Sequence, residues 1–329
     1  MRNNKPADDP IRAGAKEILF VCSQLLVGGT ERQLAAIASA LVRSGWWVGV
    51  YSLAGSGTLQ TELERGGVTV ILPPLNRSLN GHLLRRVFAF VLAVAHLFFT
   101  MLKRRPAIVH FMLPEAYLVG GILALIARLP IRIMSRRSLN VYQQERPVLS
   151  KIERLLHRAM NAILGNSKSV IRQLNQIENV PLSRLGLIYN GVDIDQFSDN
   201  HPRINTRTAL GLGPEMLALI MVGNLIPYKG HGDLIDALHE AAHRLPEGWR
   251  VFIVGRDDGI GPALQKRVGE LGLENNIVFL GQRRDVADLL SACDIGLLCS
   301  HQEGFSNSVL ESMASGLPMV VTDGRGRAS

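Results

Sequence analysis

The stretch Leu217-Ala218-Leu219-Ile220-Met221-Val222-Gly223-Asn224-Leu225-Ile226-Pro227-Tyr228-Lys229-Gly230-His231 decides the fold. Its opening apolar run, Leu217–Val222, has the length of a buried strand. Gly223, Pro227 and Gly230 then break regular structure, and a helical segment follows over Gly232–Arg244. Strand, short loop and helix in that order make one βα unit of a parallel sheet.

The same cycle recurs on both sides. Downstream, strands are expected at Arg250–Val254, Ile277–Leu280, Ile295–Cys299 and Pro318–Thr322, with helices near Pro262–Leu271, Val286–Ala292 and Asn307–Ala314. Upstream, strands are expected at Ile18–Ser23, Trp47–Ser52, Val68–Leu72, Ile108–Phe111, Ile131–Ser135, Ala162–Gly165 and Leu187–Tyr189. Glu31–Ser44 and Tyr117–Arg128 are the clearest helices there. Between the two series, residues 199–213 are polar, contain Pro202 and lack a clear period, so they read as an interdomain connection. The expected architecture is α/β, with Rossmann-like domains over residues 1–198 and 214–329. Ligands of such sheets bind beyond the carboxyl ends of the strands, which directs attention to the loops there.

Three loops stand out. The first ends Val27-Gly28-Gly29-Thr30-Glu31-Arg32-Gln33. Its glycines let backbone approach a ligand, and Thr30 with Gln33 fits a capping box at a helix start. A tight turn without ligand fits equally. The third glycine of a G-x-G-x-x-G fingerprint is missing, which argues against an NAD enzyme. In the second loop, Lys229 projects a cation at a strand-end crevice, where it would suit a diphosphate leaving group; a solvated surface lysine is the alternative. The third runs His301-Gln302-Glu303-Gly304-Phe305-Ser306-Asn307-Ser308-Val309-Leu310-Glu311. Glu311, one turn into a helix, could accept two hydrogen bonds from a ribose diol, while Glu303 and backbone N–H groups face a sugar and its phosphate. Ser308-x-x-Glu311 is also a capping box that needs no ligand.

The run from Glu303 to Pro318 closely resembles the E-x7-E signature of retaining glycosyltransferases of family 4, which have the GT-B fold. Gly28-Gly29-Thr30-Glu31, Asn190-Gly191-Val192-Asp193 and Lys229-Gly230 resemble further motifs of that family in the same order. The resemblance implies two Rossmann-like domains facing a central cleft, and transfer of a sugar from a UDP- or GDP-sugar to a glycan or lipid-linked acceptor in cell-surface polysaccharide synthesis. It implies that Glu311 holds the donor ribose, Glu303 contacts the transferred sugar and Lys229 binds the diphosphate. Gly29, Ser308 and Val309 would contribute backbone donors. It implies no metal or cofactor, so Asp193-Ile194-Asp195 is read as structural and not as a metal-binding D-x-D. Where the family has an arginine this chain has Asn224, with Arg136 or Arg137 as expected helpers. His110 lies near the position of a family histidine that contacts the sugar, although Met112 aligns with it more readily. Family members continue past Thr322-Asp323, whereas Gly324–Ser329 is a short basic tail. The expectation is therefore a second domain incomplete at its C-terminus and exposing apolar surface. A truncated or frameshifted remnant without catalysis, or a nucleotide-sugar epimerase, are the alternative readings.

Bulk properties narrow the partners. The net charge of +8 suits anionic ligands, but the basic residues are scattered in pairs without a nucleic-acid motif, so nucleic acid is not expected. Cys22, Cys293 and Cys299 lack the spacing of a disulfide framework or a zinc site, which fits a reducing cytoplasm. Met1–Pro10 is polar, has no apolar core of a secretory signal and reads as a short tail. Val87–Leu102 is almost wholly apolar between Arg85-Arg86 and Lys103-Arg104-Arg105. It is shorter than the roughly 20 residues that span a bilayer. It reads either as a buried crossover helix or as one that partly enters an anionic membrane leaflet.

Overall fold

The computed structural model describes residues 16–26, 28–75, 83–139, 146–197 and 203–323. The expected N-terminal tail and residues 199–202 of the expected connection lie outside them. The chain divides into two compact units, the first ending at Tyr189 and the second starting at Asn190.

In the first unit a seven-stranded sheet has the order β3-β2-β1-β4-β5-β6-β7. Its strands are β1 (Glu17–Cys22), β2 (Trp47–Ser52), β3 (Thr69–Ile71), β4 (Ile108–Met112), β5 (Ile131–Arg136), β6 (Ala162–Gly165) and β7 (Leu185–Leu187). Every pairing is parallel. The helices are α1 (Gly29–Arg43), α2 (Gln60–Arg65), α3 (Leu83–Arg104), α4 (Pro114–Ile126), α5 (Pro147–His157) and α6 (Lys168–Gln176). Cores lie on both faces of the sheet. Phe20, Val50 and Met112 pack beneath Leu34 and Ala35 of α1, while Val21, Phe111 and Met134 pack with Leu97 of α3 and Tyr117 of α4. The alternation of side chains along each strand sorts β4 into these two layers, with His110 and Met112 on one and Val109 and Phe111 on the other.

The second unit repeats the plan in a five-stranded parallel sheet of order β10-β9-β8-β11-β12. Its strands are β8 (Ala218–Val222), β9 (Arg250–Val254), β10 (Ile277–Gly281), β11 (Ile295–Leu298) and β12 (Met319–Val321). Its helices are α7 (Arg203–Ala209), α8 (His231–Ala241), α9 (Gly261–Glu270), α10 (Val286–Ala292) and α11 (Asn307–Ala314). In both sheets strand order reverses beside the first strand, at β1/β4 and at β8/β11. These are the switch points where crevices open in doubly wound sheets. At the β12 edge Val320 and Val321 are exposed, as is Met313 of α11.

Two details depart from the sequence reading. Part of the expected connection, Arg203–Ala209, is helical and packs against α10. Its anchor is Arg207, 6% exposed, which donates to the carbonyls of Met216 at 2.6 Å, Gly213 at 2.8 Å and Ala292 at 3.0 Å. Hydrophobic periodicity missed this helix because its buried residue is an arginine. The unit boundary also falls before 198, since Val192 and Phe197 pack into the second core.

Arg136 is the third correction. At the end of β5 it points into the first unit rather than towards a ligand, with a side chain 2% exposed. Its Nη2 donates to Glu153 Oε1 at 2.5 Å and to Glu178 Oε2 at 3.2 Å, and both carboxylates are fully buried. His157 joins through Nε2 to Glu178 at 2.8 Å and Nδ1 to Tyr117 Oη at 2.9 Å. Glu153, His157 and Glu178 lie close enough to hold a metal ion, but the guanidinium already occupies the charge between the carboxylates. Breaking such a pair on one side leaves buried charge uncompensated. Arg136→Ala is therefore expected to destabilise the first unit by about 3–5 kcal/mol, measured as a shift in urea-induced unfolding.

Candidate donor site and its relatives

The β8/β11 switch point assembles the second unit's site. Gly230 ends a 3-10 turn, Pro227–Lys229, with φ +72°, and begins α8. A Cβ there would lie 2.0 Å from the Cys299 carbonyl oxygen, so glycine is required both for its backbone angle and for the close approach. His301 N also donates to the Tyr228 carbonyl at 2.8 Å. The loops after β8 and β11 are thereby locked together, and Lys229 Nζ meets Glu303 Oε1 at 2.5 Å. Both side chains stay partly exposed, at 18% and 25%. Two residues that lie 74 positions apart in sequence thus form one ion pair at the carboxyl ends of adjacent strands.

Helix α11 starts at Asn307 with Ser306 as N-cap, and the Ser306 side chain makes no capping hydrogen bond. Ser306 Oγ instead pairs with Ser308 Oγ at 2.9 Å. Ser308 is inside the first turn, so the alternative reading of Ser308-x-x-Glu311 as a capping box does not hold. Glu311 lies further along and is 9% exposed. Asn190 Nδ2 donates to the Phe305 carbonyl at 3.1 Å and to Asn307 Oδ1 at 2.7 Å, and so positions the loop between the two glutamates. A cavity of about 510 Å³ opens beside the loop, lined by Glu303, Gly304, Ser306, Val309 and, from the end of β12, Thr322. Asn224 turns away from Lys229: its Oδ1 accepts from Arg256 N at 3.3 Å.

His231 escaped the sequence reading. It opens α8, is 1% exposed, and neither ring nitrogen meets a partner in hydrogen-bonding geometry. Burial, reinforced by the Lys229 ammonium and opposed by the Gly223 backbone, lowers its pKa to about 4. The ring is neutral at pH 7. Only its neighbour Lys229 drew attention, because a histidine after a glycine carries no periodic signal.

In the first unit, the β1/β4 switch point gathers a different set. Helix α1 starts at Gly29 with Gly28 as its N-cap, so Thr30 is not the cap expected from Thr30-x-x-Gln33. The Glu31 carboxylate folds back instead: a Cβ on Gly28 would lie 2.5 Å from its Oε2. Arg137, following β5, feels Glu31, which opposes the burial that lowers the arginine's pKa to about 10. His110 is mid-strand, 8% exposed, with Nε2 at 2.7 Å from Ser135 Oγ and its ring tilted against Phe20. It is not in the loop after β4. Burial first, then Arg137, lowers its pKa to about 3. Asp193 precedes a short exposed 3-10 turn, Ile194–Gln196, and Asp195 lies within it.

Residues 27–196 match the glycosyltransferase family 4 profile, and residues 217–329 match that of group 1 glycosyl transferases. The chain belongs to glycosyltransferase family 4. It is 33% identical over 164 residues to a D-inositol 3-phosphate glycosyltransferase of Mycobacteroides abscessus, covering 48% of this chain and 36% of that protein. It is 28% identical over 174 residues to the lipopolysaccharide core biosynthesis mannosyltransferase LpsB of Rhizobium meliloti, covering 52% of this chain and 47% of LpsB. The matches thus span a third to a half of these curated relatives. Among solved structures, Anabaena Alr3699/HepE in complex with UDP and glucose superposes with a TM-score of 0.80 at 26% identity, over 94% of this chain and 82% of that one. WaaG, a glycosyltransferase of lipopolysaccharide biosynthesis, superposes at 0.70 with 20% identity over 94% and 82%, and shows the shared fold. The two parallel-sheet units are those of a GT-B family 4 glycosyltransferase.

The low folded-state pKa values of His110 and His231 fix a sign. The unfolded rings protonate near the ordinary value of 6.5, well before the folded rings at about 3 and about 4. Stability is therefore full above pH 6.5 and falls as the pH is lowered towards those values. The slope is up to about 1.4 kcal/mol per pH unit for each ring. Urea unfolding at pH 7 and pH 5 should show the loss, and His110→Gln and His231→Gln should each flatten it.

Proposed function

We propose that this protein transfers a glycosyl group, with retention of configuration, from a UDP-sugar to a glycan or lipid-linked acceptor in cell-surface polysaccharide synthesis at the cytoplasmic face of the membrane. The Lys229–Glu303 pair at the β8/β11 switch point carries the reading. UDP is favoured over GDP because HepE, 26% identical, is a complex with UDP and glucose. The LpsB likeness supports a polysaccharide acceptor.

In the proposed reaction Glu311 accepts hydrogen bonds from the donor ribose. The incoming diphosphate takes Lys229 from Glu303, which then faces the hydroxyls of the transferred sugar. As the bond from anomeric carbon to phosphate oxygen lengthens, negative charge grows on the diphosphate. Lys229 and the backbone N–H groups of Ser308 and Val309 oppose that charge. The acceptor hydroxyl attacks from the face the diphosphate leaves and passes its proton to the departing phosphate oxygen, and no side-chain nucleophile takes part. Lys229 and the helix N-terminus supply the charge neutralisation, so the proposed reaction needs no metal or other cofactor.

Three measurements test this. Glu311→Ala should weaken UDP binding at least about tenfold in calorimetry, a loss of about 1.4 kcal/mol; unchanged affinity defeats the ribose assignment. Lys229→Ala should weaken UDP while leaving uridine unaffected, since only the former carries the diphosphate. Turnover of the UDP-sugar should persist in EDTA.

A further inference from the structure

Helix α3 has two apolar faces. Ala89, Ala93, Leu97 and Met101, four residues apart, are buried along one side. At about 100° per residue, Leu84, Phe88, Val91, Phe99 and Leu102 fall in a sector of about 80° centred on the opposite side. They are 85%, 58%, 56%, 65% and 38% exposed. The stripe runs about 27 Å along the helix. Exposed Arg85 stands at one end, exposed Lys103 and Arg105 at the other, and α3 contains no acidic residue.

We propose that this outer face docks on an anionic lipid bilayer, with α3 lying in the plane of the interface and its basic ends on lipid phosphates. By length and apolar composition the helix could pass for a membrane span. Its inner face forbids that orientation. Leu97 and Met101 belong to the first unit's core, Tyr51 Oη donates to the Ala93 carbonyl at 2.8 Å, and Arg104 stacks 4.9 Å over Trp47. A helix held along its length by a folded unit can offer only its outer side. Charge selects lipid over a second copy of this chain. With both ends basic, two α3 faces packed together in either direction set cation against cation, whereas lipid phosphates match both ends at once. The inference stands independently of the donor reading.

Sedimentation with vesicles of phosphatidylcholine, with and without phosphatidylglycerol, tests it. The protein should sediment with the anionic vesicles at low ionic strength and be released by salt. Phe88→Glu with Phe99→Glu should lower the partition at least about tenfold. Arg85→Glu and Lys103→Glu should each lower binding to the anionic vesicles about fivefold. Ile204→Glu, at a more exposed position on α7, should change nothing, and matched thermal melting confirms that each variant is folded. No sedimentation at low salt overturns the proposal, as does binding indifferent to the two phenylalanines. A dimer in solution that the same two substitutions dissociate overturns it in favour of self-association.

Discussion

The contact of Gly230 with the Cys299 carbonyl is the constraint from which the candidate donor site follows. A parallel sheet places strand ends side by side but leaves the loops beyond them to find their own paths. Here the absence of a side chain at Gly230 lets the turn after β8 lie against the backbone just beyond β11. That approach brings Lys229 to Glu303, and Asn190 holds the next few residues so that Glu311 enters α11 in a fixed register. One glycine therefore couples two loops into a single charged surface. The ion pair costs little while it waits. Both partners are partly exposed, and a ligand that offers phosphate to the lysine and hydroxyls to the glutamate can replace each half with a stronger interaction.

Burial decides the roles of the first unit's ionisable groups. Arg136 and Arg137 are neighbours in sequence and opposites in structure, because alternation along β5 sends Arg136 into the interior. There two buried carboxylates compensate it, and the network ties the end of β5 to α5 and to the segment after α6. Arg137 stays in the crevice with Glu31 and His110. Desolvation holds that histidine neutral, so its chemistry near pH 7 is that of a hydrogen-bonding ring on Ser135, not of a cation.

The strand and helix rhythm was legible because apolar runs and glycine-marked turns are local signals. Trp47–Ser52, Ala162–Gly165, Arg250–Val254, Val286–Ala292 and Asn307–Ala314 stand where the sequence puts them. The last strand of the first unit, expected at Leu187–Tyr189, instead covers Leu185–Leu187. Short edge strands have few neighbours to set their ends. What failed depends on partners distant in sequence. Arg207 looks solvated until Met216 and Ala292 supply its acceptors, and Arg136 looks available until Glu153 and Glu178 close around it. The capping boxes failed for a related reason: the pattern at Thr30 and Ser308 is real, but both helices begin earlier. Lys229 and Glu303 were each legible as strand-end residues. Their pairing was not, since it depends on β8 and β11 being adjacent.

Helix α3 shows the same limit from the other side. Hydropathy reports how much apolar surface a segment carries, not where that surface points. The segment admitted two readings, a crossover helix in the core and a helix at a lipid surface, and these compete only if one face must serve both. With 3.6 residues per turn, a run apolar all round has two opposed faces to dispose of. The small side chains Ala89 and Ala93 lie on the inner side, where they let the helix approach the sheet closely, while Phe88 and Phe99 stand on the outer side. A helix that served only as a crossover would gain nothing from large apolar residues there, and water would oppose them. The large apolar residues left on the outer side are the physical reason to treat that face as a second surface, not as an accident of composition.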